Sequence, residues 1–91
     1  MVYATLTEYD VDLEDHIKMG EAAGDAPIKG LILHAGGPNE RGVHSLDVWE
    51  SKEDAERFFH ERMMPALQEL GVEGGSPLGF QEFDLPYVVR G

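Results

Sequence analysis

The sequence predicts a small α+β fold of order βαββαβ, the split βαβ arrangement, on three observations. Four runs are rich in the β-branched, aromatic and aliphatic residues of strands. Two longer stretches repeat apolar residues at helical spacing. Each helical stretch opens on a capping side chain and closes on glycine.

The first strand is Val2–Tyr9. Residues 10–15 are acidic, and Asp12 is placed to cap a helix from Leu13 to Ala23, with Asp15 three positions on. Acids in a first turn also suit the helix dipole. Gly24 and Pro27 end that helix, and Ile28–His34 reads as the second strand. Gly36 to Gly42 carries turn chemistry, and Val43–Glu50 is the third strand. Ser51 caps the second helix with Asp54 following, and Ala55, Phe58, Phe59, Met63, Ala66, Leu67 and Leu70 make its apolar stripe. Pro65 predicts a kink near Met64, because proline removes one hydrogen bond and crowds the preceding turn. Gly71 closes the helix, Gly74 to Pro77 is a loop, and the last strand runs from Leu78 to Val89 with a break at Pro86. With a helix in each crossover, strand 1 is read as parallel to strand 3 and strand 2 to strand 4, around a 2–3 hairpin.

Composition narrows the functions available. Ninety-one residues fit one domain, and a chain this short gains burial by oligomerising. There is no cysteine, which excludes disulfides, zinc–thiolate sites and cysteine nucleophiles. Eighteen acids against seven bases give a formal charge of −11. Nucleic acid and anionic membranes are therefore not expected partners, since both are bound through lysine and arginine. No stretch approaches a membrane span, and the start carries strand chemistry rather than a leader pattern, so a cytoplasmic protein is expected.

Aligning the hairpin so that Leu31 faces Val48 and Leu33 faces Leu46 keeps apolar residues together. Strand alternation then gives two faces. Val2, Ala4, Leu6, Leu31, Leu33, Leu46, Val48, Phe83 and Leu85 make an apolar one, which the helices are expected to cover. Tyr3, Thr5, Thr7, Ile32, His34, Ser45, Asp47, Trp49, Phe80 and Glu82 make a mixed one, to be covered by a second subunit or a ligand.

The run Leu46–Phe58, with Pro65-Ala-Leu, Gly71, Leu33–Gly36 and Leu85–Val88, resembles the dimeric α+β barrel superfamily over about the whole chain. The nearest group is the small proteins related to antibiotic-biosynthesis monooxygenase (ABM) domains. The resemblance implies a ferredoxin-like fold, an antiparallel sheet with two helices on one face, paired sheet to sheet in a homodimer. The superfamily includes cofactor-free quinone-forming monooxygenases and haem degraders. The haem degraders' pattern is not met. Strand 1 has no asparagine, Phe58 and Phe59 stand where a tryptophan belongs, and His60 follows too closely.

In this register His34 and Asp47 are diagonal neighbours across the hairpin, and a carboxylate beside an imidazole is the arrangement of a general base and its orienter. Trp49 beside Gly30 would wall a planar ligand, and Tyr3, Ser45 and Phe80 would line the same cleft. His44 is placed on the helix-covered side, and His16 and His60 on solvated helix positions. No histidine pair has metal-ligand spacing, and Asp10-x-Asp12-x-Glu14 lacks the glycine of a calcium loop, so neither metal nor other cofactor is expected. The function expected is a homodimeric ligand-binding or cofactor-independent monooxygenase-like protein for a small planar organic molecule. The alternative is a non-catalytic dimeric stress-response or interaction module.

Overall fold

The computed structural model describes residues 2–24, 26–69 and 78–91. Strand β1 (Val2–Tyr9) leads through α1 (Leu13–Ala22) to the hairpin β2 (Leu31–Asn39) and β3 (Gly42–Trp49). A second helical stretch follows, built from α2 (Lys52–Phe58), a π turn (Phe59–Met63) and α3 (Met64–Glu69), and β4 (Gly79–Leu85) ends the regular structure. Gly71, Leu70 and the loop expected at Gly74 to Pro77 lie outside the described residues.

Local chemistry sets the helix ends. The Asp12 carboxylate accepts the Asp15 N–H at 2.8 Å, and the Ser51 hydroxyl accepts the Asp54 N–H at 3.2 Å. Each satisfies one of the amides that a helix start leaves without a partner. Pro65 acts as expected, though by a wide turn rather than a simple kink. Its ring would crowd the carbonyl of Glu61, four residues back, and the backbone there widens into the π turn, with the Met64 N–H reaching the Phe59 carbonyl. The extra residue divides the predicted stripe. Phe58 packs inward on Trp49, while Phe59 is left largely exposed.

The π turn also aims Arg62 at the end of α1, whose last turn has no basic residue of its own. Its guanidinium donates to the carbonyls of Ala23 (3.0 Å), Gly24 (2.9 Å), Ala26 (2.9 Å) and Pro27 (3.3 Å) while lying over the Phe58 ring. One fork of five N–H donors thus serves two carbonyls at the end of α1 and two in the segment that follows it. Arg62→Ala should lower stability by about 2 kcal/mol in urea denaturation, with Lys restoring only part of it. An unchanged midpoint would mean that water serves these carbonyls equally well.

The sheet has the order β2-β3-β1-β4 and every neighbouring pair is antiparallel. The expectation of parallel 1–3 and 2–4 pairs is overturned. The helical crossovers join β1 to β2 and β3 to β4, so those strands share a direction, and neither pair is adjacent. The hairpin register also differs. Leu33 lies opposite Val48, and His34 opposite Asp47, with an irregularity between Leu31 and Leu33. Strand β2 continues through Gly36 and Gly37 to Asn39, where a turn had been expected.

The largest correction concerns the faces. One face is crossed by the row Leu33–Val48–Ala4–Phe83 and, beside it, Ala35–Leu46–Leu6–Gln81. This apolar face is the open one, with Leu33 48 % and Phe83 41 % exposed. The helices cover the mixed face instead. Phe58 meets Trp49 with ring centroids 5.5 Å apart, His16 meets His34 at 5.6 Å, and Lys52 reaches Glu82. Alternation separates an apolar from a mixed face, but it does not say which of them the chain covers for itself. His44 shares the open face with Leu46 and Val48, so it is exposed rather than covered by helix.

Candidate functional site

Three rows cross the helix-covered face. The first is Leu31–Trp49–Tyr3–Asp84, the second His34–Asp47–Thr5–Glu82, and the third Gly36–Ser45–Thr7–Phe80. The observed register therefore places His34 directly across from Asp47, where the expected one had them diagonal. Their side chains are hydrogen bonded through His34 Nδ1 and Asp47 Oδ1. A carboxylate only accepts, so Nδ1 carries the hydrogen, and Nε2 is the atom that gains or loses a proton. The Asp47 hydrogen bond holds the His34 pKa above the ordinary imidazole value, against the opposing effect of burial. The His34 side chain is 47 % exposed and that of Asp47 23 %, so the dyad is half open to solvent on the edge strand β2.

His16 is the member that sequence reading missed. It was expected in solvent, yet its ring stacks on His34 at 26° and lies 6.3 Å from the Tyr9 ring. The signal was there to use: His16 stands three residues after Leu13 and three before Met19, the one buried side chain of α1. Both His16 ring nitrogens are buried without a hydrogen-bond partner among the described residues. Burial, then the facing His34, hold its pKa below the ordinary value. A side chain at Gly36 would put its Cβ 3.1 Å from His16 Nε2, so glycine there makes room for the ring.

The other candidates are distributed around this centre. Tyr3 is buried and its hydroxyl donates to Glu82 at 3.0 Å, while Lys52 approaches the other oxygen of that carboxylate at 3.4 Å. Burial, then the Glu82 bond, push the phenol up to about 12. Tyr3 is thus engaged with the sheet and not free to donate into a cleft. Trp49 is buried against Phe58, with Leu31 and Tyr3 on either side. Gly30, expected beneath Trp49, instead lies against the Asp54 carboxylate. Ser45 is buried in the row beside Asp47. Phe80 shares the face but stands on β4, three strands from His34 and so about 14 Å away, 54 % exposed.

Among the described residues no group of three His, Cys, Asp or Glu side chains converges as metal ligands, and no helix is long and apolar enough to cross a membrane. One hollow of about 110 Å³ lies between Pro27–Lys29 and the second helical stretch, and a shallower one between residues 10–15 and the β2–β3 turn. Neither is lined by His34.

No family model matches the sequence, and no curated protein does. Solved structures do. One described as an antibiotic biosynthesis monooxygenase from Chloroflexus aurantiacus J-10-fl superposes with a TM-score of 0.74 at 11 % identity, covering 100 % of this chain and 98 % of the other. The fold is that of the ABM domains. A substituted form of SnoaB, a cofactor-independent oxygenase from Streptomyces nogalater, gives 0.60 at 12 % identity over 99 % and 95 % of the two chains. A structural-genomics protein, YJCS, gives 0.59 at 18 % over 92 % and 95 %. The ABM-like fold accounts for the antiparallel sheet with helices on one face, and at these identities the likeness extends to fold alone.

Proposed function

We propose that this chain is a homodimeric, cofactor-independent monooxygenase-like protein for a small planar aromatic molecule, with His34 as general base and Asp47 as its orienter. The observation that carries this is the His34–Asp47 dyad, whose Nε2 is free to take a proton at an open edge of the helix-covered face. The likeness in fold to a protein described as a cofactor-independent oxygenase supports it. Taking the hydroxyl proton of a phenol leaves an electron-rich anion that can reduce dioxygen directly. Overall, a phenol and dioxygen give a quinone and water. One oxygen atom enters the ring, and the other leaves as water with the hydroxyl hydrogen and one ring hydrogen. Ser45 and Trp49 form the floor beside the dyad, while Tyr3 and Phe80 shape the face farther away. The second copy is assigned to the open apolar face, which leaves the dyad clear of the interface.

4-Nitrophenol tests the base directly, because it turns yellow on losing its proton. The protein should bind it as the phenolate at a pH where the free phenol is largely protonated, and His34→Gln should lose that colour. General-base removal of this kind lowers proton-transfer rates by about 10²–10⁴-fold. Binding of the neutral phenol alone, or equal colour in the variant, would reject His34 as the base. No binding of any phenol would favour the interaction-module reading.

A further inference from the structure

His16 belongs to the site in a way that its neighbours reveal. A phenyl ring would fill the same place between Tyr9 and His34 without stranding two buried nitrogens, which cost stability when left unpaired. The groups facing it are the phenol of Tyr9 on β1, the imidazole of His34 on β2 and the carboxylate of Asp47 on β3, with Asp12 and Asp15 engaged in the cap of its own helix. Neither of its nitrogens has an acceptor among the described residues, so a proton added to His16 would be buried without a partner there and face a second imidazole across the stack. The neutral ring can stay, whereas the charged ring must leave. Met19 is the only buried side chain of α1, and the end of the helix is held by Arg62.

We propose that His16 is a positioning residue for His34. Its neutral ring, stacked on His34, holds that imidazole in the orientation that gives Nδ1–H to Asp47, and protonation of His16 releases it. The inference rests on the reading of His34 as base, and it explains why an imidazole rather than a phenyl ring occupies residue 16. His16 takes its proton below the pH at which His34 takes its own, so the release is read in the position of the His34 ring rather than as a separate limit on the base.

The test is the exchange-protected Nδ1–H proton of His34, followed by nuclear magnetic resonance on the full chain across pH. In the parent protein it should be present near neutral pH and vanish as His16 titrates. In His16→Phe, which keeps the stack but cannot charge, it should persist to lower pH, and the protein should melt no lower than the parent. In His16→Ala it should be lost at every pH. Overturning results are a resonance that His16→Ala leaves intact, one that vanishes at the same pH in His16→Phe as in the parent, or no protected proton in the parent at all. Should His16→Ala fail to fold, the Phe comparison decides alone. Failure of the base reading is distinguishable, because the resonance would then behave as expected while 4-nitrophenol binds without losing its proton.

Discussion

Leu33→Asp combined with Phe83→Asp is expected to turn the proposed homodimer into a folded monomer. Both residues lie in the row Leu33–Val48–Ala4–Phe83 that crosses the open face from one edge strand to the other. A soluble monomer rarely leaves so continuous an apolar band in water. Each substitution would bury a carboxylate without a partner in the interface, a loss of several kcal/mol after relaxation. The formal charge of each protomer moves from −11 to −13, which adds repulsion between copies. Together these should raise the dissociation constant by at least about a thousandfold, or ~4 kcal/mol. Sedimentation velocity on parent and variant decides. The helix-covered face is untouched, so the His34 Nδ1–H resonance should survive in the monomer. A variant that still sediments as a dimer, or a parent that never does, would remove the open face as the interface.

Gly42→Ala is the single substitution expected to harm the fold most. Gly42 closes the β2–β3 turn at a φ of 148°, a backbone conformation that residues with a Cβ rarely adopt. A Cβ there would run into the Tyr9 carbonyl, with the Val11 carbonyl and Asp10 Cα just behind it, because the chain leaving β1 crosses tightly over the hairpin end. Nothing in that crossing is a flexible side-chain tip that could turn away. Strain and clash together should remove about 3 kcal/mol or more, over a hundredfold in the folding equilibrium. The same shift displaces the segment that sets the start of α1, and with it His16. The measurement is a urea midpoint, with the ring resonances of His16 and His34 as a local reporter. A midpoint equal to the parent's would show that the crossing opens without loss.

How far the sequence carried can be judged from particular residues. Asp12 and Ser51 were legible as caps because a cap is a local agreement between one side chain and the amide three residues on. The succession of strands and helices along the chain was legible too, since each strand announces itself by composition. The hairpin register was not. Gly36 and Gly37 bear no side chains to continue the alternation, and Gly-Gly-Pro-Asn reads as a turn, although the backbone stays extended to Asn39. That slip hid the direct His34–Asp47 pairing, although it still left both residues on the same face. The assignment of faces failed for a different reason. Leu33, Leu46 and Val48 report that their face avoids water, which is equally true whether a helix or another copy covers it. His16 was missed because a polar residue at an inward helix position was weighed as a surface residue, when its spacing from Leu13 and Met19 placed it inside.

The π turn at Phe59–Met63 leaves a readable mark on what lengths this helix can tolerate. It holds one more residue than an α-helical path between the same ends would need. Deleting Glu61 should therefore draw the helix toward a continuous α form, in which the Pro65 ring meets the carbonyl four residues back. Because the ends stay where they are, the helix beyond would keep its orientation. Ala66 would stay buried, whereas Arg62, which stands in the turn itself, would lose its place over the carbonyls at and after the end of α1. A chain of this fold that is one residue shorter here should then lack both the arginine clamp and the proline, two features that the wide turn makes compatible.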